Sequence, residues 1–140
     1  IPRYVAPPEG PQDPLTKRFP LQLSGWHSKC RTLTVHDNNL NLRKLDPQKL
    51  WIHPEDAAAR SINDGDMVLV YNDRGQVKIP AKITDRVAKG VTTLSQGTWY
   101  TPDENGVDTR GSINVLTSQR PTPFARGNGQ HTNLVEVQKI

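Results

Sequence analysis

Residues 67–83 limit the possible folds more than any other stretch. Met67-Val68-Leu69-Val70-Tyr71 is an unbroken apolar run and Asn72-Asp73-Arg74-Gly75 is a turn. The return segment alternates strictly, with Val77, Ile79, Ala81 and Ile83 on one face and Gln76, Lys78, Pro80 and Lys82 on the other. A period of two means a strand with one wet face, whereas the apolar run predicts a strand buried on both. The turn predicts a hairpin with Gly75 at positive φ. Pro80, which has no N–H for a neighbouring strand, predicts a sheet edge. Twelve prolines and ten glycines interrupt the chain, so short strands joined by turns are expected rather than long helices.

The same reading extends outward. Strands are expected at 19–25, where Leu21 and Leu23 alternate with Gln22 and Ser24, and at 91–94, 113–117 and 134–140. His53-Pro54-Glu55-Asp56-Ala57-Ala58-Ala59-Arg60 predicts a short helix, with Pro at its first position, acids in its first turn and Arg60 near its negative end. His36-Asp37-Asn38-Asn39 predicts a turn, followed by loop with a short helical turn after Pro47. Residues 101–111 and 119–130 are polar, Gly- and Pro-bearing stretches expected as exposed loops. Residues 1–18 have no apolar period, so an extended linker arm without secondary structure is expected there, continuous with a preceding part of a larger protein, and residues 19–140 form one domain. Six or so short strands, one or two short helices and long loops point to a small closed barrel.

The net charge of +4 is unevenly placed. Residues 1–50 hold eight Lys and Arg against four Asp and Glu, while residues 51–140 hold ten of each. There is no basic run, cationic helix face or RNA-binding aromatic signature, so nucleic acid is not an expected partner. The single Cys30 cannot form an internal disulfide, and no Cys/His spacing fits zinc. No apolar run reaches the roughly 18 residues of a membrane span, and a soluble chain is expected. The four histidines are scattered and no nucleophile elbow occurs, which disfavours a stand-alone hydrolase.

The surplus charge surrounds Gly25-Trp26-His27-Ser28-Lys29-Cys30-Arg31-Thr32-Leu33-Thr34, directly after the first strand. Two fixed cations, several hydroxyls and an indole at a strand end suit phosphoryl oxygens, which accept charge-assisted bonds from Lys and Arg and fill their remaining lone pairs with hydroxyl or backbone donors. The plainer alternative is a strand edge with solvated charges.

Seven motifs occur in a joint order: Gly25-Trp26-His27; Trp51-Ile52-His53-Pro54-Glu55-Asp56-Ala57; Asn63-Asp64-Gly65-Asp66-Met67-Val68; Asn72-Asp73-Arg74-Gly75; Gly97-Thr98-Trp99-Tyr100; Ile113-Asn114-Val115-Leu116-Thr117; and His131-Thr132-Asn133-Leu134. Each alone is weakly specific. Their order resembles the C-terminal domain of dimethyl sulfoxide reductase catalytic subunits, which belong to the molybdopterin-dinucleotide oxidoreductases, and the likeness runs from about Pro14 to Ile140.

That resemblance implies a mainly β, six-stranded double-psi β-barrel that closes over two molybdopterin guanine dinucleotides (bis-MGD) holding one molybdenum. It implies a periplasmic parent that reduces S-oxides or N-oxides in anaerobic respiration. Its expected partners are the remaining domains of the catalytic subunit, an iron–sulfur electron-transfer subunit and a membrane anchor subunit. The fragment itself is expected to be monomeric and inactive alone. The metal's protein ligand comes from an earlier domain in that family, so Cys30 is not read as a molybdenum ligand.

Carried over position by position, the resemblance marks Trp26, His27, Lys29, Arg31, Thr32 and Thr34 for pterin and pyrophosphate contacts. It marks Asn114 and Asn133, with Gln130 and His131, for the ring edges, whose donors and acceptors an amide matches. For Asn114 the competing role is a turn-capping amide, and Trp99 and Tyr100 are expected in the core. Two positions depart from the family pattern. Leu33-Thr34 stands where relatives usually carry His then Ser, and Ser61 stands where they tend to carry Gly, a change that costs about 1 kcal/mol if φ is positive there. The alternative class is the same barrel acting as a non-enzymatic protein-recognition module. That class does not require Lys29 and Arg31 to converge with Asn114.

Overall fold

The structure, a computed structural model, describes residues 1–140. Six strands, β1 (Leu21–His27), β2 (Leu50–Ile52), β3 (Met67–Tyr71), β4 (Gln76–Ile83), β5 (Val91–Gln96) and β6 (Asn133–Lys139), close into a barrel in the order β1-β5-β2-β4-β3-β6. Pairs β1–β5 and β2–β4 are parallel and the other four are antiparallel. These two parallel crossings give the expected double-psi barrel. Two short helices, α1 (Leu40–Leu45) and α2 (Pro54–Ala58), lie in the connections.

The hairpin at 67–83 forms as its alternation requires. Val68 faces Ile79 and Val70 faces Val77 across β3–β4. Their side chains meet Leu21, Leu23, Leu50, Ile52, Leu94, Val135 and Val137 inside the barrel. The expectation of a β3 buried on both faces is corrected: Met67 is exposed and Leu69 and Tyr71 are half-buried, because each barrel strand has one interior and one exterior face. Pro80 marks no edge, since the barrel is closed. It stands one residue before β4's first partner on β2, the Leu50–Ala81 pair. Gly75 is not at positive φ. It is needed for space, because a Cβ there would lie 2.5 Å from Val115 Cγ1.

Four further expectations change. Residues 113–115 form a 3-10 turn, not a strand. Ile113 and Leu116, three apart, both enter the core, which is the spacing of one such turn. The helix near residue 45 precedes Pro47, because Asn39 Oδ1 caps it by accepting from the Asn41 and Leu42 N–H groups at 3.0 and 3.2 Å. The arm is not featureless: Asp13 caps a 3-10 turn at Pro14–Lys17. Glu9 is 4% exposed and takes the Arg74 guanidinium in two bonds of 2.8 and 2.9 Å and the Leu134 N–H at 3.1 Å. Trp99 and Tyr100 are exposed rather than core. The α2 expectation matches, with Pro54 at its first position and the His53 side chain as cap. No helix is long and apolar enough to cross a membrane.

Candidate cofactor site

The loop after β1 divides two cavities. Because β5 lies between β1 and β2, with Trp26 paired to Ser95 and Trp51 to Thr93, the two indoles meet across it with ring centroids 5.2 Å apart. They line a cavity of about 560 Å³ together with His27, Lys29 and Arg86. The Arg86 guanidinium sits 5.2 Å over the Trp51 ring, a cation–π contact. Trp26 Nε1 is buried without a hydrogen-bond partner. An unused donor on one indole of this aromatic pair, with two cations nearby, fits a flat heteroaromatic ring carrying an anionic tail.

The second cavity, about 440 Å³, is lined by Arg31, Asp37, Arg43, Lys44, Thr98 and Arg110, among others. Arg31 does not share the tryptophan cavity. Its side chain is 4% exposed and donates to Asp37 at 3.3 Å, Gln48 at 2.9 Å and Ser95 at 2.5 Å. Gln48 in turn donates to the Ser95 and Gly111 carbonyls at 2.8 and 3.0 Å. Asp46 lines both cavities and accepts the Ser28 hydroxyl, so the Ser28–Asp46 contact forms part of the wall between them.

The loop tip is pinned by backbone rather than by side chains. Leu33 is at φ 50°, and its carbonyl packs so tightly on Gly97 that a Cβ there would sit 1.8 Å from the oxygen. Only glycine fits, and Gly97 is also at φ 92°. The Thr34 carbonyl accepts the Trp99 indole N–H at 2.9 Å, so Trp99 acts as a strut for this loop. The side chains of Thr32 and Thr34 remain exposed.

Of the residues marked from sequence, Trp26, His27 and Lys29 share one cavity. His131 is brought beside them, its Nδ1 accepting the Gly25 N–H at 3.3 Å. Arg31 lies in the neighbouring cavity, and Asn114, exposed on the 3-10 turn, lines neither. Asn133 has no exposed surface. Its amide accepts the Ser118 N–H at 2.7 Å and donates to the Gln130 carbonyl at 2.9 Å, which makes it a tie between loops rather than a free ring-reading amide. Gln130 itself is exposed. No group of three His, Cys, Asp or Glu side chains is placed to hold a metal.

Sequence reasoning missed Trp51, Arg86 and Asp37. The Leu50-Trp51-Ile52 alternation was the available signal for Trp51, since a strand that buries Leu50 and Ile52 must turn Trp51 outward. Nothing local marks Asp37, which reads as one more turn residue until Arg31 and Arg110 fold onto it.

A family profile described as Molydopterin dinucleotide binding domain matches residues 21–134. Dimethyl sulfoxide reductase DmsA of Haemophilus influenzae is 51% identical over 128 residues, 91% of this chain and 16% of that protein. Its Escherichia coli namesake is 49% identical over 140 residues, all of this chain and 17% of that protein. Trimethylamine-N-oxide reductase 1 of Escherichia coli is 36% identical over 90% of this chain and 16% of its own length. Among solved structures, acetylene hydratase from Pelobacter acetylenicus superposes with a TM-score of 0.81 at 17% identity, over all of this chain and 21% of that one. That last likeness defines the fold. The chain belongs to the molybdopterin dinucleotide-binding domain family. Within it, the chain is a domain of the dimethyl sulfoxide reductase type and spans about a sixth of the length of these relatives.

Proposed function

We propose that this domain caps a molybdopterin guanine dinucleotide, of the bis-MGD type, in a reductase of S-oxides or N-oxides. The observation that carries the reading is the unpartnered, buried Trp26 Nε1 in a cavity walled by a second indole and lined by Lys29 and Arg86. A guanine or pterin ring stacks on such a surface and offers acceptors to the indole N–H. Lys29 and Arg86 supply charge for the diphosphate. When bound, the cofactor supplies the redox chemistry. The residues here bind it, orient it and exclude water. The names of the dimethyl sulfoxide and trimethylamine-N-oxide reductases among the relatives support the substrate class. From the motif resemblance alone, we further propose that the parent is a periplasmic enzyme of anaerobic respiration whose other domains complete the site. It takes electrons from an iron–sulfur subunit held by a membrane anchor.

Tryptophan fluorescence of the 140-residue chain, titrated at low salt with guanosine diphosphate and separately with a pterin, tests the binding role. Saturable quenching is expected, weakened about tenfold in Lys29→Gln. Quenching that does not saturate, or that is the same in Trp26→Phe and wild type, would overturn it.

A further inference from the structure

We infer that Glu9 of the N-terminal arm is a positioning residue for the tryptophan cavity: it sets residues 131–134, and through them the Gly25 backbone at the cavity rim. The inference rests on the capping role proposed above and adds a residue outside the 21–134 span that the family profile matches.

Local chemistry in the arm delivers Glu9. Asp13 accepts the Glu9 N–H at 3.0 Å and the Leu15 N–H at 2.9 Å, and the Gly10 N–H reaches the Pro7 carbonyl at 3.2 Å. These bonds hold Glu9 at φ 55°, a left-handed conformation that a residue with a side chain keeps only where its surroundings fix it. The buried carboxylate then needs partners inside the domain. It takes two bonds from Arg74, which is itself anchored on the Leu116 carbonyl at 3.0 Å through Nε and 2.8 Å through Nη2. Its further contacts go to the start of β6. Oε2 accepts the Leu134 N–H at 3.1 Å, and Gln22 Nε2 bridges the Glu9 and Asn133 carbonyls, donating to each at 3.1 Å.

That is where β6 stops supporting β1. Their pairing ends at Leu23–Asn133, whereas β1 runs on through Gly25, Trp26 and His27, which line the cavity. On this flank the Gly25 N–H is taken not by a strand but by His131 Nδ1 at 3.3 Å. One long bond from a loop side chain is weak and depends on the backbone that carries it. With Asn133 and Leu134 fixed by Glu9, His131 two residues upstream is held in place to accept. Docking of the arm does not by itself account for these bonds. The arm's other ion pair, Arg18–Asp73, is exposed on both sides and touches none of these residues.

Amide hydrogen exchange, and tryptophan-fluorescence titration with guanosine diphosphate, both on the 140-residue chain, test the role. Glu9→Ala is expected to speed exchange at Gly25 and Leu134 by about fivefold while the amides of β3 and β4 keep their protection, and to weaken guanosine diphosphate by about fivefold. Should Glu9→Ala fail to fold, Glu9→Gln, which keeps an acceptor for the Leu134 N–H, is expected to show the same pattern at smaller size. Arg18→Ala should change neither readout. Gly25 exchange unchanged in the Glu9 variants would overturn the positioning role, as would a speed-up shared equally by β3 and β4, which is what a merely structural residue gives. Unchanged nucleotide affinity with Gly25 released would also overturn it. A wild-type chain that binds no nucleotide, in which Glu9→Ala still frees Gly25 selectively, would overturn the capping reading and leave the positioning of the rim standing.

Discussion

Asp37 and Asp108 are both wholly buried carboxylates, yet they are satisfied in opposite ways. Asp108 accepts the Thr101 N–H at 2.7 Å and the Ser112 N–H at 2.6 Å, while its own N–H and C=O join Gln76 and Lys78 on β4. It uses backbone donors and no cation, and so staples a loop expected to be merely exposed. Asp37 uses Arg31 of its own loop, Arg110 from a distant one, and a backbone N–H. A carboxylate bonded to neutral amides stabilises a shape. One bonded to two cations also leaves a field behind, and that field faces a cavity. The difference separates what holds the fold from what the fold presents to a ligand.

Two substitutions probe that contrast, and the larger effect should come from Asp37→Ala. It leaves the Arg31 guanidinium buried without its counter-charge, and urea denaturation is expected to show a loss of about 4 kcal/mol. Asp108→Ala orphans two backbone donors and should cost about 3 kcal/mol by the same measurement. Phosphate sharpens the comparison: added at tens of millimolar, it should recover part of the stability of Asp37→Ala by binding the unmasked cations, and none of that of Asp108→Ala. Equal rescue of both variants would erase the distinction.

Exposed carboxylates give the smallest effect. Asp64 is held below the usual carboxylate range, first by the Ile83 N–H and then by Lys82, and Asp66 first by Lys139 and then by the Asn63 N–H. A depressed folded-state pKa contributes stability that is present above the unfolded value and lost as pH falls through the folded one. Thermal melts should therefore decline slightly on acidification below about pH 4, and Asp64→Asn should flatten that decline. A melt that steepens in the variant would contradict the assignment.

What sequence revealed and what it hid divide along the same line. Strands with one apolar face, such as Val77, Ile79 and Ala81, follow from alternation alone, as does α2 from Pro54 and its acidic first turn. The motif after β1 was legible as a cationic, aromatic strand end, and Trp26, His27 and Lys29 do share a cavity. Arg31 was legible as a cation but not as a buried one, because its partners Asp37, Gln48 and Ser95 stand 6, 17 and 64 residues away. Asn133 looked like a free amide for the same reason: its loop partners are set by closure of the barrel, which no local pattern encodes. Ser61 was the reverse case. The family tendency toward Gly made a cost conditional on positive φ, and Ser61 meets that condition at φ 55°.

The most direct test of the account is a crystal structure of this chain soaked with guanosine diphosphate. A purine ring is expected against the Trp26 and Trp51 indoles, with an acceptor within hydrogen-bond distance of Trp26 Nε1 and the diphosphate near Lys29 or Arg86. A nucleotide seated instead in the proline-lined groove between the arm and residues 118–123, with the Trp26 indole untouched, would contradict it.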